Sequence, residues 1–179
     1  AVAHGAMSMT HVFNGMSPFH HRAPGLVGAA FRMRDVYGEV ICDGNHSNVN
    51  SLNNYYMAKG RDHVIMISDS LMAKGCPCGS KHIFGGNEIE VYPDGSAHLT
   101  STKRLAGSTL RINRGLQIVV EEAGVPFDYA LNSCTLNPAR ALKVDDRKGK
   151  LNVGYDADIV VLNDQYDVVQ TYARGKAYL

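Results

Sequence analysis

Apolar positions in the first third of the chain come in short runs broken by loops. Met7–Phe13 (MSMTHVF), Gly38–Asp43 (GEVICD) and Asp62–Asp69 (DHVIMISD) each read as a strand. The third is the clearest, because Val64-Ile65-Met66-Ile67 is apolar without interruption, the pattern of a strand covered on both faces in a parallel sheet. Between the second and third strands, the segment from about Val49 to Lys59 predicts a helix stopped by Gly60. Strand, helix and strand at this spacing predict a βαβ unit.

The middle of the chain changes period. KHIFGGNEIEVYPDGSAHLTST places Gly85-Gly86 and Asp94-Gly95 turn signals between strand-like pieces, so an antiparallel excursion near residues 82–101 is expected. Two helical patterns follow. NRGLQIVVEEAG has Asn113 as its expected N-cap and Gly124 as its stop, and PFDYALNSCTLNPARAL has Pro138 marking a break or a new helical start. The tail returns to strands at Ile159–Leu162 and Val168–Tyr172, either side of an Asn-Asp turn. No internal repeat or low-complexity linker interrupts this order.

Composition narrows the class. A length of 179 residues suits one sizeable domain, or one domain with a small appendage, and 45% apolar with 20% charged residues is ordinary for a globular protein. The formal net charge of +1 and the absence of a polybasic run argue against nucleic-acid and membrane-surface roles. Four cysteines, Cys42, Cys76, Cys78 and Cys134, are too sparse for a secreted disulfide framework, so a reducing, cytoplasmic setting is expected. The opening AVAHGAMSMT lacks an initiator methionine and reads as the inside of an element, from which a fragment or processed chain is expected.

Candidate chemistry gathers where the strands end. The first delivers His11 and Asn14, the second Asp43-Gly44-Asn45-His46, the third Ser68-Asp69-Ser70. In (β/α) barrels the C-terminal strand ends converge on one mouth. Histidine and aspartate from neighbouring strands suit a divalent metal and an activated water, with Asp69 as base and then acid. Each residue also has a plainer reading: His11 as a satisfied strand-end polar group, Asp69 as the N-cap of a following helix, His46 as a routine turn residue, His20-His21-Arg22 as a solvated loop. The joint occurrence in three consecutive strands favours chemistry. Cys76-Pro77-Cys78 lacks a second pair for zinc, His4, His63, His82 and His98 lack partners at metal spacing, and Gly85-Gly86 opens no helix for a dinucleotide or phosphate loop.

THVFNGMSPFHHRAPGLVGAAF resembles the T-H-[LVY]-[FY]-N-A-M-S-P-x-x-x-R-x-P-G-x-x-G-A segment of N-acetylglucosamine-6-phosphate deacetylases. DGNHSN, ISDSLMAKG and RLAGSTL follow in that family's order, and the tail from TLNPARAL to KGKLNVGYDADIVVL resembles a segment shared across the amidohydrolase superfamily. The resemblance implies an α/β fold: the C-terminal portion of a (β/α)8 barrel, about its last three strands, with part of a small β-sandwich domain. It divides the chain into residues 1–125, barrel with a β-hairpin insertion, and 126–179, closing helix and strands of the small domain.

By the same resemblance His11 is a metal ligand and Asp69 the catalytic base and acid. Asn14 and Gly15 line the sugar site, Arg22 contacts the substrate phosphate across a homodimer interface, His46 binds substrate, and Leu105, Ala106 and Gly107 form a loop closing over it. The implied cofactor is a divalent metal, zinc first, with iron, manganese and cobalt as alternatives. The chain departs from the family pattern at Gly15 (alanine there), at Ser68 and Ser70 (threonine and alanine), and in GCPCGSKHIFGG. The family's remaining metal ligands lie upstream of His11, and His4, Glu39 and Glu88 do not match their motifs. The expected partner is therefore the missing N-terminal half of the barrel, without which the chain would be inactive. Alternatives are an amidohydrolase acting on another N-acetyl sugar or a cyclic amide, and a non-catalytic assembly module.

Overall fold

The computed structural model describes residues 1–178. Three short strands, β1 (Ser8–Met9), β2 (Tyr37–Ile41) and β3 (Val64–Ile67), form a parallel sheet in that order. The register pairs Met9 with Gly38, Gly38 with Val64 and Ile41 with Ile67. The β3 bounds match the apolar run, and Val64, Ile65 and Met66 are all buried, so no polar residue alternates with them. β1 is only two residues long, shorter than the Met7–Phe13 run predicts, because the chain turns out of the sheet at Thr10.

Helices cover this sheet. α1 (Gly25–Arg32) buries Val27 and Ala30; with two glycines in eight residues its helical signal is weak, and the sequence pattern does not single it out. α2 (Val49–Lys59) has the predicted bounds: the Asn48 side chain accepts the Asn50 N–H at 2.9 Å, and Gly60 (φ 75°) ends it. Its Leu52, Tyr55 and Tyr56 are fully buried against Val40, Ile41 and Val64. Lys59, 4% exposed, donates through Nζ to the main-chain carbonyls of Met33 (2.6 Å), Arg34 (3.3 Å) and Val36, tying the α1–β2 connection to the end of α2. Burial pushes the Lys59 ammonium down to about 8.

α3 (Ile112–Gln117) runs on through a π-helical turn, Ile118–Glu122. Its N-cap is Arg111, not Asn113 as the sequence suggests; the Asn113 side chain donates to the Tyr166 carbonyl at 2.9 Å, a long-range partner that outcompetes the local cap. Gly124 (φ 67°) lies just past this helix, as expected. α4 (Phe127–Cys134) and α5 (Leu136–Ala141) break at Thr135, with Pro138 in the first turn of the new helix. Both pack on β3. Asn137, fully buried, donates to the carbonyls of Arg61 (2.9 Å) and Val64 (2.8 Å), and Ser133 Oγ lies 2.8 Å from the Tyr56 hydroxyl of α2.

Two antiparallel sheets complete the chain. β4 (Lys81–Phe84), β5 (Asn87–Val91) and β6 (Ala97–Leu99) form the central excursion, a three-stranded meander with its own core of Ala73, Ile89, Val91, Ala97 and Ala106. β7 (Ile159–Leu162), β8 (Val168–Ala173) and β9 (Lys176–Tyr178) form the last sheet. Its first turn is held by Asn163, whose side chain accepts the N–H groups of Gln165 (3.0 Å) and Asp167 (2.8 Å). Among the described residues no helix is long and apolar enough to cross a membrane.

Candidate active site at the strand ends

The turn after β1 carries the first group of candidates. Val12 is fully buried and its N–H donates to the Glu39 carbonyl at 2.7 Å, so the turn is pinned against β2. On either side of it, His11 (φ 31°) and Phe13 (φ 80°) occupy the left-handed region, where a side chain costs about 1–2 kcal/mol. Phe13 meets that cost through edge-on packing against Phe31 (6.3 Å) and Tyr55 (5.7 Å). His11 Nδ1 is buried with no hydrogen-bond partner. An orphaned, buried imidazole nitrogen in a strained backbone fits a metal ligand better than the satisfied polar group that was the plainer reading. Gly15 (φ 66°) lies alongside, where an added Cβ would come within 3.8 Å of His11 Cε1. Asn14 is half-buried, its N–H bonded to the His11 carbonyl at 2.9 Å.

Beyond β2, Asp43 organises the DGNH turn. Its Oδ1 accepts the N–H groups of Asn45 (2.9 Å) and His46 (2.8 Å), and its Oδ2 lies 2.6 Å from His46 Nδ1. Ser108 Oγ donates to the same Oδ2 at 3.4 Å. Burial alone would push the Asp43 carboxyl up, but the hydrogen bonds from the His46 side chain and main chain and from Asn45 outweigh it and hold the carboxyl below its ordinary value. A carboxyl depressed on folding stabilises the fold above its unfolded pKa, and that stabilisation is lost as pH falls through the folded value. Urea denaturation between pH 6 and pH 3 is thus expected to show a fall in stability that Asp43→Asn makes shallower.

Beyond β3, the chain does not enter a helix. Asp69 (φ 49°) is exposed and leads into turns before β4, so the helix-cap reading of this residue is wrong. Instead Ser70 and Ser108 form a parallel bridge, with the Ser108 N–H donating to the Asp69 carbonyl (2.8 Å) and the Leu71 N–H to the Ser108 carbonyl (2.9 Å). The segment Leu105–Ser108 is strapped between β6 and the end of β3, since the Ala106 N–H donates to the Ala97 carbonyl at 3.0 Å. Gly107 (φ 63°) is required there: a Cβ would lie 2.7 Å from Leu71 Cγ.

Other candidates stay apart. Arg22 is exposed, and its Nη1 reaches only the neighbouring His21 Nε2 (3.0 Å), whose ring lies tilted against that of His20 at 4.4 Å. Among the described residues no three His, Cys, Asp or Glu side chains come together as a metal site, so His11 fits a divalent ion as one ligand of an incomplete set. Burial pushes the Cys42 thiol up to about 12 and the Cys134 thiol up to about 11, which removes both as nucleophiles near neutral pH. Sequence reasoning missed Ser108; its signal was the serine that closes RLAGS, whose contacts to Asp43 and Asp69 are long-range.

His11, His46 and Asp69 each follow the C-terminal end of a strand in one parallel sheet, the place where (β/α) folds carry their sites. The model of the amidohydrolase family matches residues 41–178, and the chain belongs to that family. It is 39% identical over 171 residues to N-acetylglucosamine-6-phosphate deacetylase of Bacillus subtilis, covering 96% of this chain and 42% of the relative. The crystal structure of N-acetylglucosamine-6-phosphate deacetylase from Pasteurella multocida superposes with a TM-score of 0.92 at 29% identity, covering 99% of this chain and 46% of that one. A mutant of the Mycobacterium smegmatis deacetylase, in complex with N-acetyl-D-glucosamine-6-phosphate, matches with a TM-score of 0.91 at 29% identity over 98% of this chain and 46% of that one. The chain thus spans under half the length of the relatives it matches.

Proposed function

We propose that this chain is part of an N-acetylglucosamine-6-phosphate deacetylase, which hydrolyses the acetamide of the phosphorylated amino sugar to glucosamine 6-phosphate and acetate. The observation that carries the proposal is the joint placement of an unpartnered, buried His11 nitrogen and an unencumbered Asp69 carboxylate at the ends of the two strands that flank β2 in one parallel sheet. On this reading β1–β3 are the last three strands of a (β/α)8 barrel spanning residues 1–125, and residues 126–179 close it and supply strands of a small β domain. The remaining barrel strands and metal ligands belong to sequence outside this chain.

His11 would be one ligand of a divalent ion, zinc first and iron, manganese or cobalt otherwise, which would polarise the amide carbonyl and acidify water. Asp69 accepts the proton of the attacking water and returns it to the leaving amine. Asn14, Gly15 and His46 seat the sugar, and Leu105, Ala106 and Gly107 cover it. Arg22 grips the phosphate with paired charged donors, from the neighbouring subunit of a cytoplasmic homodimer, and its exposure suits that role.

Kinetics of Arg22→Gln in the full-length protein test the substrate assignment. KM for N-acetylglucosamine 6-phosphate is expected to rise at least tenfold, as for loss of about 1.5–3 kcal/mol of charged hydrogen bonding, with kcat within a few-fold. An unchanged KM would show that the substrate carries no phosphate at that site and favour another N-acetyl sugar or a cyclic amide.

A further inference from the structure

His46 sits in a turn built around one carboxylate. Asp43 receives every donor within reach: the N–H groups of Asn45 and His46 on Oδ1, the His46 ring at 2.6 Å and the Ser108 hydroxyl at 3.4 Å on Oδ2. The two side chains are 10% and 7% exposed, so the contact is shielded from water. An acceptor-only carboxylate at 2.6 Å requires that His46 Nδ1 carries the hydrogen. With its oxygens consumed by these four donors, Asp43 has no free lone pair to offer a sugar or a metal. Its chemistry is spent on its neighbours.

We infer that Asp43 is a positioning residue for His46: it fixes the imidazole in the Nδ1–H tautomer and holds Nε2 free to accept from a substrate hydroxyl. The inference rests on the proposed role of His46 as a substrate-binding group and adds the residue that makes that role specific. In the neutral ring Nε2 is an acceptor for a sugar hydroxyl. Ser108 extends the arrangement. Its hydroxyl donates to Asp43 while accepting the Leu110 N–H at 2.9 Å, and its own N–H holds the Asp69 carbonyl at 2.8 Å. The DGNH turn, the Leu105–Ser108 strap and the base-bearing end of β3 therefore share one hydrogen-bonded frame, so the sugar-binding imidazole and the proton-accepting carboxylate are set relative to each other. The sequence explains why aspartate is needed at 43: two residues of turn separate it from His46, and Gly44 (φ 76°) supplies the left-handed step that lets the side chain fold back on its own turn.

Two measurements on the full-length protein test the inference. Nitrogen-15 NMR of histidine-labelled protein reads the His46 tautomer directly; Nδ1–H in the neutral ring is expected, and Nε2–H overturns the inference. This readout needs no activity, so it stays decisive even if the protein does not deacetylate N-acetylglucosamine 6-phosphate, a result that would overturn the proposed function instead. Kinetically, Asp43→Asn is expected to lower kcat/KM by about 10–100-fold, the cost typical of losing a residue that orients a site histidine, with most of the loss in KM. In a His46→Asn background the same substitution is expected to add less than threefold. A full additional loss there would show that Asp43 acts through something other than His46. An Asp43→Asn enzyme with unchanged KM would likewise overturn the inference.

Discussion

Asp69→Asn in the full-length protein is expected to lower kcat by about 10²–10⁴-fold, the contribution of a positioned general acid–base group, while KM for N-acetylglucosamine 6-phosphate moves by no more than a few-fold. The reason lies in what surrounds the residue. Its backbone is held in the left-handed region (φ 49°) by the Ser70–Ser108 bridge and by the Ser108 N–H on its carbonyl. The carboxylate itself carries no hydrogen bond among the described residues, so it remains open to a water proton. Asparagine keeps the shape and the main-chain bonds but cannot accept that proton. Steady-state kinetics at substrate saturation separate the two parameters. A variant with kcat within tenfold of the parent would remove Asp69 from the chemistry and leave it a structural residue of the strap.

Gly38→Ala is expected to destabilise the fold by about 3 kcal/mol, at the upper end for overpacking a close-packed interior, read as a lowered midpoint in urea at unchanged slope. Gly38 lies in the central strand β2, and an ideal Cβ there would sit 1.7 Å from the Tyr55 hydroxyl oxygen and 2.7 Å from its ring carbon Cζ. Tyr55 cannot step aside. Its ring is held edge-on by Phe13 at 5.7 Å and by Phe31 at 5.4 Å, and its hydroxyl is buried without a partner. Tyr55→Phe removes the nearest clashing atom and an unsatisfied polar group, so it should be close to neutral alone and should recover part of the loss in the double variant. If Gly38→Ala unfolds at the parental midpoint, the packing described between β2 and α2 is wrong. Because Phe13 belongs to the turn that carries His11, the same substitution is also expected to loosen the His11 side of the candidate site.

Some of this architecture can be read one residue at a time. The β3 bounds follow from four consecutive apolar residues, and the end of α2 from Gly60, because burial and helix stop signals act within a few positions. Where a residue had both a local and a distant partner, local reading failed. Asn113 is a good N-cap by type, yet it bonds the Tyr166 carbonyl from the last sheet. The run Met7–Phe13 has strand composition, yet only Ser8–Met9 pair, because Val12 is drawn onto the Glu39 carbonyl and turns the chain.

The candidate site divides along the same line. The amino-acid sequence by itself determined which chemical groups are present and their order along the chain: histidine, a D-G-x-H turn and aspartate, each at the end of a strand-like run, and then L-A-G-S. It also determined the parallel βαβ core, since the hydrophobic period and the helix stop signals are properties of neighbouring residues. Only the tertiary structure decided that His11 Nδ1 is buried without a partner, that Asp69 is followed by a strap and not a helix, and that Asp43 spends its carboxylate on His46 and Ser108. Those facts are relations between segments distant in the chain, such as Asp43 and Ser108. Their hydrogen bonds and close contacts arise only when packing brings the segments together, and no local pattern encodes which of several chemically suitable partners will arrive first.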